Sequence, residues 1–356
     1  MTRHRISSDN PQELIDLANR FAEAQGLLAA VELGVFTELR ERPASGTELC
    51  ERLGLDPRPA ADFLHLLVTL GLLEARDGRF ANSAAAERFL VAGKAGYLGS
   101  SFGYYSRLMY PSWSGVAASL RGGDETGGAD GKPRGDGWTS GFYSSVADDE
   151  ETLGDFLDGL DSYNSVPGEL LAAAVDWSRH RTVLDVGGAR GNHAAHIAQA
   201  APHLTVEVFD LPQLGPFFDR LMAGAGLRER TGFHGGDFFT DPLPEADVVV
   251  FGDVLHNWSP DTRRMLIGKA ARAVRPGGSV LVFDRMMDEA RSDRAKLIAS
   301  LSMYLATKGG GSEYLESECR GYLADAGFVG ITTEPFGTAG HVLAVGHRPD
   351  GTGADG

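Results

Sequence analysis

Three groups of residues have types and spacings suited to chemistry. The first is Asp185-Val186-Gly187-Gly188-Ala189-Arg190-Gly191, which follows the apolar run Thr182–Val186 and precedes a helical stretch, Asn192–Ala200. Glycines at 187, 188 and 191 let a backbone turn sharply and let a ligand approach it closely. Their offsets do not meet the G-x-G-x-x-G dinucleotide fingerprint; what stands instead is an acid followed by small residues two, four and six positions later. The second group is a pair of acids further on. Asp210, with Leu211 beside it, closes the run Thr205–Phe209, where a carboxylate can accept both hydroxyls of a ribose. Asp237-Phe238-Phe239 follows Thr231–Phe233, a place for an acid to face an adenine amine and for a ring to face its π surface. The third is Gly252-Asp253-Val254-Leu255-His256-Asn257-Trp258, just past the apolar run Val248–Phe251. A histidine at the carboxyl end of a strand in an open α/β sheet points into the ligand crevice.

These groups need a sheet to hold them, and residues 178–348 read as one. Strand-like runs alternate with helices throughout: Pro260–Val274 is a helix closed by Pro276-Gly277-Gly278, Ser279–Phe283 is a strand, and Glu316–Ala326 is a helix followed by strands Gly330–Pro335 and His341–Gly346. Alternation of this kind makes a doubly wound, Rossmann-like α/β sheet. The short link between the last two strands makes the final one antiparallel and sets it at an edge. Residues 1–105 read differently. Leu14, Leu17, Phe21, Leu27 and Leu28 recur at helical spacing from Pro11 to about Leu33, Ser45 caps a second helix, Asp56-Pro57-Arg58-Pro59 punctuates the chain before a helix over Ala60–Leu70, and Arg76-Asp77-Gly78 turns a small hairpin. That is a winged-helix outline. Residues 106–177 link the two parts; within them the Gly-rich, charged segment 121–138 reads as a mobile loop, and 349–356 as a disordered tail.

Composition narrows the function. Asp and Glu outnumber Lys and Arg by 49 to 33, a formal charge of −16, which repels phosphate backbones and anionic membranes. Neither nucleic acid nor a membrane is expected as a partner, despite the winged-helix outline. The two cysteines, Cys50 and Cys319, form neither a disulfide framework nor a zinc motif, and a reducing cytoplasm suits them. No secretory leader or span of 18 apolar residues is read in the chain. His193 and His196 share a helix face, but with no third ligand nearby they read as packing residues.

The acid-and-small-residue loop is typical of S-adenosylmethionine enzymes. Taken in order, LDVGGARGN, GDFF, VLHNW, AVRPGG, VFDRM and KGGGSEY, after a winged-helix front end, resemble the bacterial branch of the small-molecule O-methyltransferases related to plant caffeate and acetylserotonin enzymes. The resemblance covers nearly the whole chain apart from the Gly-rich loop and the tails. It implies a class I methyltransferase with seven strands, the last antiparallel, and an N-terminal homodimerisation domain. It also implies S-adenosylmethionine as cofactor and a hydroxyl of a small, aromatic natural product as acceptor. His256 becomes the general base, with Asp284 and Glu313 holding its ring. Asp185, Gly187, Gly188, Gly191, Asp210, Leu211, Asp237, Phe238, Gly252 and Asp253 become the cofactor contacts. Asn257, Trp258, Met303 and Tyr304 become candidates for the acceptor pocket, with Met286 beside them, and the aromatic stretch Phe102–Trp113 reads either as part of the pocket wall or as a subunit contact. No metal is required, because the sulfonium supplies its own leaving group.

Three departures qualify the match. Ala189 stands for a loop glycine, Gly252 stands where plant members carry a lysine, and Asn257 replaces an aspartate. Some relatives methylate the α carbon of a 2-oxo acid with a metal held by the same histidine and a second one downstream. No histidine occurs here between His256 and His341, which counts against a copy of that site. Carbon methylation, a relative that has lost methyl transfer, a ligand-sensing winged-helix regulator and a nicotinamide oxidoreductase stand as alternatives.

Overall fold

The computed structural model describes residues 10–94, 96–121, 150–307, 310–337 and 340–350. Residues 122–138 of the expected loop and 351–356 of the expected tail lie outside them. The chain divides into two compact units, Met1–Tyr110 and Pro111–Gly356.

In the first unit, α1 (Gln12–Glu32), α2 (Val35–Glu38) and the short strand β1 (Ala44–Ser45) precede α3 (Gly46–Leu53). Ser45 starts α3 with a capping box: its hydroxyl accepts from the Glu48 N–H while the Glu48 carboxylate accepts from the Ser45 N–H. Helix α4 runs Pro57–Thr69. The two prolines thus lie in its first turn, not before it, because the first turn of a helix needs no N–H donors and Asp56 caps it. Strands β2 (Leu73–Arg76) and β3 (Arg79–Asn82) form the hairpin, with Asp77 and Gly78 both at positive φ as a type I′ turn requires. The apolar face of α4, Ala60, Leu64 and Leu67, is buried, and Leu64 and Leu67 share a core with Phe36, Leu49 and Phe80. The helix that the winged-helix outline would send into a DNA groove therefore spends its apolar side inside its own domain.

The second unit is built on a seven-stranded sheet of order β6-β5-β4-β7-β8-β10-β9. Its strands are β4 (Thr182–Val186), β5 (Thr205–Asp210), β6 (Thr231–Gly235), β7 (Ala246–Gly252), β8 (Val274–Asp284), β9 (Val329–Phe336) and β10 (His341–His347). The first five are parallel, and β10 is antiparallel to both neighbours. The final strand is antiparallel as expected, but it is not at the edge. It inserts between β8 and β9, and β9 takes the edge. Its burial is the physical reason: Val342, Leu343 and Ala344 are buried, whereas most of β9 is exposed or half-exposed. Pro276-Gly277-Gly278 is likewise part of β8, where Gly277 at positive φ donates to the Arg348 carbonyl. A register shift against β7 between Ala246 and Val248 accommodates these residues.

The strand order changes direction between β4 and β7, and such a switch point opens a crevice at the carboxyl ends of the strands. The Gly turn follows β4, Asp210 ends β5, Asp237 follows β6, His256 follows β7 and Asp284 ends β8. One edge of the sheet thus collects all three groups.

Candidate active site

At the end of β4, Asp185 is fully buried and, among the described residues, neither of its carboxylate oxygens has a hydrogen-bond partner. Burial, reinforced by the nearby Asp210, pushes its carboxyl up to about 7. A buried acid without donors is costly unless something cationic or donor-rich completes it. Around it the turn is shaped for close approach. A Cβ on Gly188 would collide with the Asp185 carboxylate, one on Gly187 would stand 2.9 Å from Val254, and one on Gly191 would stand 2.7 Å from Met222. Ala189 holds φ +51, the left-handed region a glycine would enter freely. Its N–H donates to Asp210 Oδ2 at 2.8 Å, and the Leu211 N–H donates to Oδ1 at 2.7 Å. Asp210 is therefore oriented by two backbone donors, yet burial outweighs them and raises its carboxyl to about 6.

The far side of this crevice is aromatic. Asp237 accepts the Phe239 N–H at 2.9 Å, which folds the loop so that Phe238 and Phe239 both meet Trp258 edge-on, with centroids 5.4 and 5.1 Å away. Trp258 is buried, so it joins Phe238 in one aromatic wall.

His256 sits in the turn after β7. Its Nδ1 lies 3.1 Å from Glu313 Oε1 and 3.9 Å from Asp284 Oδ1, and both acids are buried. The Tyr314 hydroxyl donates to Asp284 Oδ2 at 2.5 Å. Burial works against a charged imidazole, but Glu313, Asp284 and Asp253 together outweigh it and push His256 up to about 10. Asp284 moves in the same direction: burial, only partly opposed by His256, lifts its carboxyl to about 7. Among the described residues, Asp284 Oδ1 and Glu313 Oε2 have no hydrogen-bond partner. With Nδ1–H donated to Glu313, proton exchange is left to Nε2.

The two strand-end residues behave unlike one another. Gly252 leaves no room for a side chain, since a Cβ would collide with the Phe283 ring and stand 3.0 Å from His193 Nδ1. That explains physically why no lysine stands here. Asp253 takes a left-handed φ of +53 and is bonded to the buried His341, whose Nε2 lies 3.0 and 3.3 Å from its two oxygens. Burial would raise the Asp253 carboxyl, but His341, His256 and His193 outweigh it and hold it low. Asn257 donates to the Asp253 carbonyl at 3.1 Å, bracing the same turn.

Other expected residues are more dispersed. Met286 is fully buried, while Met303 is half-buried and Tyr304 is 38% exposed. Trp113 donates to the Ser302 hydroxyl at 2.9 Å. His193 and His196 pack against Gly168, where a Cβ would meet both rings. Among the described residues, one group has the spacing of metal ligands: Asp253, His256 and Asp284, each with one ligand atom within 4.8 Å of the others. His341 and Tyr314 escape a reading of the sequence. Tyr314 adjoins Glu313, but nothing in a sequence shows that its hydroxyl reaches back 30 residues to Asp284, and His341 is 88 residues from the acid it holds.

The switch-point crevice of the sheet thus brings together the Gly turn, the oriented Asp210 and a histidine bonded to Glu313 and close to Asp284, the arrangement of an α/β enzyme with its site at the carboxyl ends of the strands. Comparison with known proteins makes the class specific. Residues 129–329 match the O-methyltransferase domain, and residues 15–92 match the O-methyltransferase dimerisation domain. The chain belongs to the O-methyltransferase family. It is 42% identical over 346 residues to the tetracenomycin polyketide synthesis 8-O-methyl transferase TcmO of Streptomyces glaucescens, covering 95% of this chain and 97% of that one. It is 38% identical to the N,N-dimethyltransferase OxyT of Streptomyces rimosus, covering 89% and 90%. Its fold matches human N-acetylserotonin methyltransferase in complex with SAM, with a TM-score of 0.83 at 25% identity, covering 97% and 100%.

Proposed function

We propose that the protein is an S-adenosylmethionine-dependent O-methyltransferase whose acceptor is a phenolic hydroxyl of a small polycyclic aromatic natural product, with His256 as general base. The observation that carries the reading is the His256–Glu313–Asp284 group, with both acids buried, standing beside the Gly187–Gly191 turn on neighbouring strand ends. The names of TcmO and of human N-acetylserotonin methyltransferase support the reaction class and the cofactor.

The residues present suit that cofactor. Asp185 offers unpartnered oxygens to a cationic amino group, Asp210 offers a pre-oriented carboxylate to a ribose, and Asp237 and Phe238 suit an adenine. When bound, S-adenosylmethionine supplies a methyl group activated by a positively charged sulfur. The chain's own task is to make the acceptor oxygen nucleophilic. His256 Nε2 takes the hydroxyl proton while Nδ1–H stays bonded to Glu313, so the carboxylate fixes the tautomer and compensates the charge that develops on the ring. Asp284, oriented by Tyr314, adds a second negative charge behind it. Buried Trp258, with half-buried Phe238 edge-on to it, keeps water from that side.

The dimerisation-domain match supports a homodimer, and α1 supplies a surface for it: Leu14, Ile15, Leu17 and Phe21 are 49–58% exposed. A second reading, metal-assisted carbon methylation, draws on the ligand-like spacing of Asp253, His256 and Asp284. Elemental analysis of the purified protein, with activity measured before and after chelation, decides between them.

Calorimetric titration with S-adenosylhomocysteine tests the cofactor assignment. Saturable binding that Asp210→Ala weakens at least tenfold is expected; no binding by the wild-type protein would refute the assignment.

A further inference from the structure

The helix Pro260–Ala273 carries a buried cation. Arg263 is 1% exposed, and among the described residues no carboxylate forms a salt bridge with it. Buried arginines ordinarily have an acidic partner, because desolvating an unpaired guanidinium is costly. Its contacts are to Tyr322 of the helix Glu316–Asp325, to which it hydrogen-bonds, and to two loops. Nε donates to the Leu255 carbonyl at 2.9 Å, and Nη2 donates to the Ser312 carbonyl at 2.5 Å and lies 3.2 Å from the Ser312 hydroxyl. The guanidinium carbon lies 4.3 Å over the Tyr314 ring. Leu255 immediately precedes His256, while Ser312 and Tyr314 flank Glu313.

The two loops also touch directly. The Ser312 N–H donates to the His256 carbonyl at 2.8 Å, and Gly311 approaches so closely that a Cβ there would stand 2.6 Å from the same oxygen. One planar fork thus spans both sides of the His256–Glu313 hydrogen bond. A guanidinium has five donors in a rigid plane and can hold two carbonyls at a fixed separation, whereas an ammonium on a flexible stem holds one well.

We infer that Arg263 is a positioning residue of the methyl-transfer site: it locks the His256 loop to the Glu313 loop and so sets the contact between base and carboxylate. The inference rests on the reading of His256 as the base, and it assigns a role to a residue outside the His256, Asp284 and Glu313 group.

The test reads the His256 imidazole by NMR in ¹⁵N-histidine-labelled full-length protein, titrated in the wild type, Arg263→Met and Arg263→Lys. Three acids face that ring: Glu313 from its loop, Asp284 from β8 and Asp253 from the end of β7. Releasing the clamp lets Glu313 move off the ring, so the midpoint falls towards the ordinary imidazole value in the methionine variant and less far in the lysine variant. Mere removal of a positive charge would move the midpoint upward, so the sign separates positioning from charge. S-adenosylhomocysteine affinity stays within twofold, because the Gly turn and Asp210 lie on other elements. An unchanged or raised midpoint in the folded variants overturns the inference. If the methionine variant does not fold, the lysine variant decides; if neither folds, Arg263 serves folding alone and the inference is overturned. Retained methyl transfer in His256→Ala would sink the base reading instead, whatever the Arg263 variants show.

Discussion

Replacing Asp185 by asparagine should make the ligand-free protein more stable and the cofactor complex weaker. The side chain is fully buried, and no donor reaches either oxygen. Its carboxyl rises from 3.8 to about 7, by burial first and by the Asp210 charge second. At about 1.4 kcal/mol per tenfold change in proton affinity, that difference corresponds to about 4 kcal/mol of destabilisation once the acid is ionised. The sign follows from linkage: a carboxyl whose folded value lies above its unfolded one favours the fold below the unfolded value, and that support is lost as pH rises through the folded one. Urea unfolding without cofactor, run from pH 4 to 9, should therefore show wild type and Asp185→Asn alike near pH 4. The variant should gain steadily up to about pH 7 and then stay ahead by a few kcal/mol. S-adenosylhomocysteine should bind the variant at least tenfold more weakly. A variant less stable than wild type at pH 8, or a difference that does not depend on pH, would refute the claim that this acid is held at a cost for the sake of a ligand.

Other expectations follow from the same geometry. His256 is pushed up to about 10 and must be neutral to accept a proton, so methyl transfer should climb with pH from 6 to 9, nearly tenfold per pH unit where the base is limiting; a flat profile in initial-rate assays speaks against it. Gly252→Ala drives a methyl group into Phe283 and His193, so thermal unfolding should report a loss of about 1–3 kcal/mol. An unshifted melting temperature would show that the site has room. Leu17→Glu with Phe21→Glu places charge in the exposed apolar stripe of α1 and should shift sedimentation from dimer to monomer; a double variant that sediments as wild type would place the interface elsewhere.

Where function was legible in the sequence, it lay within single strand-turn-helix units. The Gly turn, Asp210, Asp237 and His256 each stand within a few residues of the strand that positions them, so period and turn chemistry suffice to locate them. The placement of β10 inside the sheet was not legible in this way: a short link makes a hairpin with β9 but does not state which member of the pair meets β8. The supports of the site were hidden for a similar reason. Tyr314 on Asp284 and His341 on Asp253 are contacts made by tertiary folding across 30 and 88 residues, and no local pattern encodes them. Gly252 stood in the sequence as a departure from the plant lysine with no reason attached, whereas the structure shows Phe283 and His193 filling the space a side chain would need.

The most direct test of the central claim supplies S-adenosylmethionine with a labelled methyl to wild type and His256→Ala, each offered a panel of hydroxynaphthoates and hydroxyanthraquinones. The attachment atom of the methyl group in each product is then assigned by NMR. Methyl on a phenolic oxygen, formed about 10²–10⁴-fold more slowly by the variant at unchanged S-adenosylhomocysteine affinity, is the predicted result. Methyl on carbon, or undiminished turnover without His256, would contradict it.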